Sequence, residues 1–270
     1  MNYFKQIPIF HMASMARSGE TLILRTLEAH PQIHISHNLN QVDTKKEAKS
    51  YKFFKNFKKK SIRANHPIIN NIKLSKNSII IVKQGTWKHK HPFDGFILSR
   101  NPASIYASLR TYDTDELGSN LDKNWLQNEK RLIKWLKDID PKLIDNLLEK
   151  KPIEQFCMFY NLRMRNLYKT GLPIIYYEKF VTNPKRELKK ILSILNTTYD
   201  ESILLSHNKY SKKDIGHGKN RLDMPINSSS IEKYKSILTK NEFDIIAELT
   251  RDTSEYYFKY NMKWDDISIS

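Results

Sequence analysis

The chain is predicted to be an α/β protein of three layers, a central parallel sheet with helices on both faces, and three observations predict it. Short apolar runs such as SIIIVK at Ser78–Lys83 alternate with longer stretches of helix formers, the order that builds a parallel sheet with covered faces. The clearest of these runs are too short for buried helices, and one is rich in β-branched residues. Each ends at a polar or basic residue, and strand ends in open α/β sheets face the ligand crevice.

Taken in order, Ile7–Met12 is a short buried strand that runs into a loop of small residues before Gly19. Thr21–Ala29 holds helix formers throughout and meets no breaker until Pro31. Ile33–Ser36 is a second short strand. Residues 45–60 carry eight lysines around Tyr51, Phe53, Phe54 and Phe57, which reads as a basic amphipathic helix, either a solvated face or a wall for an acceptor. Ser78–Lys83 and Phe93–Ser99 are the clearest strands. Pro102 occupies the first turn of a helix, where its missing N–H is harmless, and ASIYASLRTY continues it. Three further helices are predicted at 121–137, 141–150 and 154–170, the last closed by Gly171. Leu172–Tyr177 is a strand, Pro184–Leu195 a helix, 207–230 a long polar loop, and Asn241–Lys259 a long helix.

At 270 residues the chain is sized for one large domain, 1–270, with a substantial core. The single cysteine, Cys157, has no intramolecular partner for a disulfide and sits in an apolar helical pattern, which suits a reducing compartment. The N-terminal segment MNYFKQIPIFHMAS lacks a basic stretch followed by a long apolar one. No later window reaches the ~20 apolar residues that span a bilayer, so a cytoplasmic protein without a transmembrane segment is expected. A net charge of +17 draws anions to the surface. Nucleic acid, acidic glycans, anionic headgroups and nucleotides all answer to it, and charge alone does not choose. Oligomeric state is not addressed by the sequence.

The segment S-M-A-R-S-G-E-T, Ser14–Thr21, is a loop with a glycine set between a strand and a helix, an arrangement that offers backbone N–H groups and a positive helix end to an anion. Against the triphosphate loop G-x-x-x-x-G-K-[ST] it keeps Gly19 and Thr21 but has Ser14 for the first glycine and Glu20 for the lysine. A carboxylate at that place argues against ATP or GTP and toward one phosphate in the loop, with Arg17 as the cation.

M-A-R-S-G-E-T-L followed by A-H-P-Q at Ala29–Gln32 resembles the 5'-phosphosulfate loop of sulfotransferases that use 3'-phosphoadenosine 5'-phosphosulfate (PAPS). That family's pattern is P-[RK]-S-G-T-T or close to it, so Ala16 and Glu20 are departures. In FILSRNPASIYASL, Arg100 ends a strand and Ser108 lies eight residues on, able to close with it on one anion. This pair resembles the 3'-phosphate signature of the same family. Tyr177 in YYEKFVTNP and Lys219 with Arg221 in DIGHGKNRLD are similar to further family segments beside the nucleotide.

The resemblance implies a P-loop-like fold and PAPS as co-substrate. It also implies transfer of a sulfuryl group to a hydroxyl acceptor, with an acidic glycan or lipid-linked saccharide suggested by the basic 45–60 stretch, and neither a metal nor nucleic acid as partner. The phosphosulfate contacts fall on Arg17, Ser18, Gly19, Glu20 and Thr21, the second phosphate on Arg100 and Ser108, and a sulfuryl-contacting lysine on Lys83. The family's histidine two residues after that lysine is Gly85 here, so the base lies elsewhere. His37, at a predicted strand end, is preferred over His34. Glu20 is the rival, with His89 and His91 behind. A P-loop kinase and a non-enzymatic polyanion-binding protein are the competing readings.

Overall fold

A computed structural model of the chain describes residues 6–36, 60–63, 77–84, 94–111, 141–216 and 220–270. The 45–60 and 121–137 predictions lie outside these residues, apart from Lys60. Strand β1, Gln6–Ser14, runs through the middle of the sheet and is buried along almost its whole length, as a central parallel strand covered on both faces must be. Helix α1, Glu20–Glu28, follows, then the edge strand β2, Ile33–Ile35. β3, Ser61–Arg63, pairs antiparallel with the start of β1, an addition that the parallel prediction did not include. β4 (Ile79–Gln84) and β5 (Asp94–Ser99) flank β1 on either side, both parallel to it, and helix α2 covers Pro102–Arg110.

Helices α3 (Pro141–Leu148) and α4 (Pro152–Tyr168) lead to β6, Ile174–Tyr176, which closes the sheet in the order β2-β4-β1-β5-β6. The predicted strand Leu172–Tyr177 is shorter than expected because Tyr177 already begins helix α5, Tyr177–Thr182. Helix α6, Pro184–Ile194, starts on an Asn183 cap with Pro184 in the first turn, as predicted for a helix there. Helix α7, Lys240–Arg251, starts in a capping box of Thr239 and Glu242. The predicted helix to Lys259 gives way to π turns at Asp252–Tyr257, followed by a hairpin of β9 (Tyr260–Met262) and β10 (Ile267–Ile269). Within the predicted loop 207–230 lies a two-stranded ribbon of β7 (Ile215–Gly216) and β8 (Asn220–Arg221).

Side chains of the central strands divide between two apolar clusters. Met12, Phe96, Leu98 and Ile175 pack against α1, α5 and α6, whereas Ala13 and Ile97 pack against α2, α4 and α7. Helices therefore cover both faces of the sheet, as predicted. Adjacent strands β1 and β5 approach without a side chain between them at one point. Gly95 (φ 147°) pairs with His11, and a Cβ there would lie 1.9 Å from the His11 carbonyl oxygen. Among the described residues no helix is long and apolar enough to cross a membrane.

Candidate active site

Three neighbouring strands, β1, β5 and β6, end together, Ser14 beside Leu98 and Ser99 beside Tyr176. The turns that leave these strands therefore meet at one edge of the sheet, where open α/β sheets bind ligands. A cavity of about 390 Å³ opens there, within the about 300–1,000 Å³ usual for ligand pockets. Its wall includes Arg17, Gly19, Glu20, Thr21, Arg100, Ser108, Tyr177 and Arg221, all singled out in the sequence.

The turn after β1 is built on the backbone. Gly19, at φ 97°, is the N-cap of α1, and no side chain caps that helix; the Leu22 N–H donates to the Gly19 carbonyl, and the Glu20 and Thr21 N–H groups are left for a ligand or solvent. A Cβ on Gly19 would come within 2.3 Å of the Tyr177 ring, so both backbone angle and space demand glycine. Arg17 adopts a positive φ of 73°, a conformation that costs about 1–3 kcal/mol for a non-glycine residue and gathers at functional sites. Ser18 is fully buried, and among the described residues its Oγ meets no hydrogen-bond partner.

The turn after β5 is built on side chains. Arg100 is 7% exposed and lies over the Tyr177 ring at 4.4 Å. Its Nη1 donates to the Arg17 carbonyl (3.1 Å) and its Nη2 to the Ser230 carbonyl (3.0 Å), while Nε has no partner among the described residues. Arg17 Nε in turn donates to Ser108 Oγ at 3.0 Å. The two turns thus touch, and the cations of both face one space. Tyr177 OH and Ser230 Oγ are 2.6 Å apart, which fixes the ring that covers Gly19.

Glu20 and Lys83 meet at the side of the cavity. Ser14 Oγ donates to Glu20 Oε1 (3.1 Å), and Lys83 Nζ, from the end of β4, lies 3.7 Å from the same oxygen. Lys83 is absent from the cavity wall; its contact is with Glu20. Beneath the loop the fully buried Arg163 of α4 donates through Nε (3.3 Å) and Nη2 (3.1 Å) to the Ser14 carbonyl. Burial pushes its guanidinium down to about 9, opposed by the charge of Glu20.

Arg221 lines the cavity with its guanidinium paired to Asp223, Nη2 to Oδ2 at 2.5 Å. His34 is half-buried in β2, 3.3 Å from Ser78 Oγ and away from the cavity wall, and burial lowers its pKa. His37, Lys219, His89 and His91 lie outside the described residues.

Further polar wall residues are not anticipated by the sequence. Ser104 precedes Ser108 by one helical turn, a spacing that would have disclosed it. Arg25 stands four residues after Thr21 on α1 and donates to the carbonyls of Leu222 and Met224, fastening that strand of chain over the cavity. Ser230 comes from a loop and Lys233 from the 3-10 turn Lys233–Ser236, neither with a sequence signal.

No protein-family model and no curated protein matches the chain. Among solved structures it is similar to the sulfotransferase domain from the curacin biosynthetic pathway, at 16% identity and a TM-score of 0.48, over 90% of this chain and 97% of that one. For the sulfotransferase domain from the Synechococcus PCC 7002 olefin synthase the values are 15%, 0.49, 92% and 96%. For mouse sulfotransferase SULT7A1 complexed with PAP they are 13%, 0.48, 92% and 84%. The chemistry open to the chain follows from the side chains around the cavity.

Proposed function

We propose that the cavity binds PAPS and that the chain transfers its sulfuryl group to a hydroxyl of a carbohydrate or glycolipid acceptor. The observation that carries the reading is the pair of cationic strand-to-helix turns, Arg17–Thr21 and Arg100–Ser108, facing one cavity of about 390 Å³. The first suits the phosphosulfate: backbone donors at an uncapped helix start, and Arg17 on the cavity wall. The second suits the 3'-phosphate through Arg100 and Ser108, which both line the cavity. The donor supplies an activated S–O bond to its 5'-phosphate. Little covalent work then falls to the protein, and positioning with charge stabilisation dominates.

In this reading Arg17 neutralises charge on the departing phosphate, and Lys83, tethered to Glu20, does so on the transferred group. As the acceptor oxygen bonds to sulfur and the bond to the phosphate breaks, the acceptor's proton passes to a base. We assign that base to His37, which comes directly after Ser36, whose N–H donates to Ile81 two residues before Lys83 on β4. Glu20 is the rival. The 45–60 lysines are the pointer to an acidic glycan or lipid-linked saccharide.

Thermal shift with adenosine 3',5'-bisphosphate, ATP plus Mg²⁺, and heparin tests the donor. Stabilisation by the bisphosphate is expected; stabilisation by ATP or heparin alone would move the chain to a kinase or a polyanion binder. Transfer of radiolabelled sulfate to a panel of glycans and lipids reads the acceptor. His37→Ala is expected to stop turnover with bisphosphate affinity unchanged, and a wild-type rate in that variant would shift the base to Glu20.

A further inference from the structure

The corner that carries Arg100 is held from behind by a carboxylate that never reaches the cavity. Glu178, in the first turn of α5, is buried and makes no ion pair with a lysine or arginine among the described residues. Its Oε1 accepts from both the peptide N–H (3.0 Å) and Nδ2 (2.8 Å) of Asn101, and its Oε2 accepts from Tyr260 OH (2.9 Å) in the C-terminal hairpin. A carboxylate taken out of water without a countercharge is retained only where such bonds compensate it.

The grip fixes a defined set of contacts. With Nδ2 held by Glu178, the Asn101 side chain turns its Oδ1 to the Ser104 N–H (2.7 Å) and caps α2, while Nδ2 also donates to Ser104 Oγ (3.0 Å). Ser104 Oγ donates to the Ile231 carbonyl (3.3 Å), next to Ser230, which accepts from Arg100. Two consecutive residues of one turn thus hold two consecutive residues of another, the Tyr177 ring on Arg100 and the Glu178 carboxylate on Asn101.

We infer that Glu178 is a positioning residue that aims Arg100 and Ser108 at the 3'-phosphate by fixing Asn101, and so sets selectivity for 3'-phosphorylated nucleotides without touching them. This rests on the donor reading above. Without the carboxylate, Asn101 Nδ2 becomes a buried donor lacking one of its acceptors, and the cap and the Arg100 corner lose their common anchor.

Titration calorimetry of wild type, Glu178→Ala and Glu178→Gln with adenosine 3',5'-bisphosphate and with adenosine 5'-monophosphate tests it. Glu178→Ala is expected to weaken the bisphosphate about tenfold, one hydrogen bond's worth, and the monophosphate less than threefold. Glu178→Gln is expected to behave as wild type, since its amide keeps an oxygen for Asn101 and offers an N–H to the Tyr260 oxygen. Equal weakening of both ligands in Glu178→Ala, or a glutamine variant no better than alanine, overturns the inference. Should the alanine variant not fold, Tyr260→Phe removes only the Oε2 contact and is expected to weaken the bisphosphate alone, a few-fold; equal loss for both ligands overturns the inference there too. If wild type itself binds the two ligands equally, the donor reading falls first and this one with it.

Discussion

The turn after β1 and the turn after β5 do the same topological job and are made in opposite ways. Both leave adjacent parallel strands and both start a helix of nine residues. The first starts on a glycine with no cap, and a side chain at that position would collide with Tyr177. The second starts on Asn101, whose side chain caps α2, with Pro102 in the first turn, so the Asn101 and Ser104 N–H groups are already engaged and Pro102 has none. A helix start can be left open or closed by a side chain, and here one turn is of each kind. Where the backbone is spoken for, side chains face the cavity instead: Arg100 brings a charge and Ser108 a hydroxyl.

The largest expected effect separates the two turns outright. Gly19→Ala forces a Cβ into the Tyr177 ring at a positive φ, so stability should fall by about 2–4 kcal/mol. Calorimetry should show at least 100-fold loss for adenosine bisphosphate and monophosphate alike, because in the proposed donor mode both present a 5'-phosphate to this turn. Arg100→Ala should instead cost the bisphosphate about 100-fold and leave the monophosphate within a few-fold. Equal losses in that variant would erase the distinction between the turns.

A third perturbation lies beneath both. His11 on β1 is held down to about 4 by burial, with the charge of Asp94 opposing, and its backbone meets Gly95 on β5. Its folded value is below the ordinary 6.5, so the unfolded chain binds the extra proton first. The associated stability is fully present above pH 6.5 and is lost as the pH falls toward 4, on the order of 3 kcal/mol across that window. His11→Gln should flatten this acid limb in denaturant melts without altering the ratio of bisphosphate to monophosphate affinity. The smallest effect belongs to the cap. Asn101→Ala should lower stability by about 1 kcal/mol and show the same bisphosphate-selective weakening as Glu178→Ala.

Local chemistry made much of this readable in advance. Ser14–Thr21 announces itself because a strand, a glycine and a helix lie within a short stretch, and Arg100 with Ser108 because two helical turns set their separation. Pairings between distant segments left no such mark. Resemblance puts Lys83 on the transferred group, and its contact with Glu20 is invisible until β4 lies beside β1. Asn101 and Glu178 are 77 residues apart, so no periodicity links them. Tyr177 reads as a strand end and instead opens α5, because the chain turns as soon as β6 has passed Ser99. The antiparallel β3 and the C-terminal hairpin went unforeseen for a like reason. Three residues hold too little pattern to signal a strand until a partner defines it.

The uncapped start of α1 has a consequence in the time domain of solvent exchange. Amide hydrogens of Glu20 and Thr21, with no side-chain cap above them, should swap readily with deuterium in the free chain and slowly once an anion takes the place of the cap. The Ser104 amide, already donated to Asn101, should show the same protection in either state. A mass spectrum of peptides from the two helix starts would then register the arrival of the ligand at one of them and silence at the other.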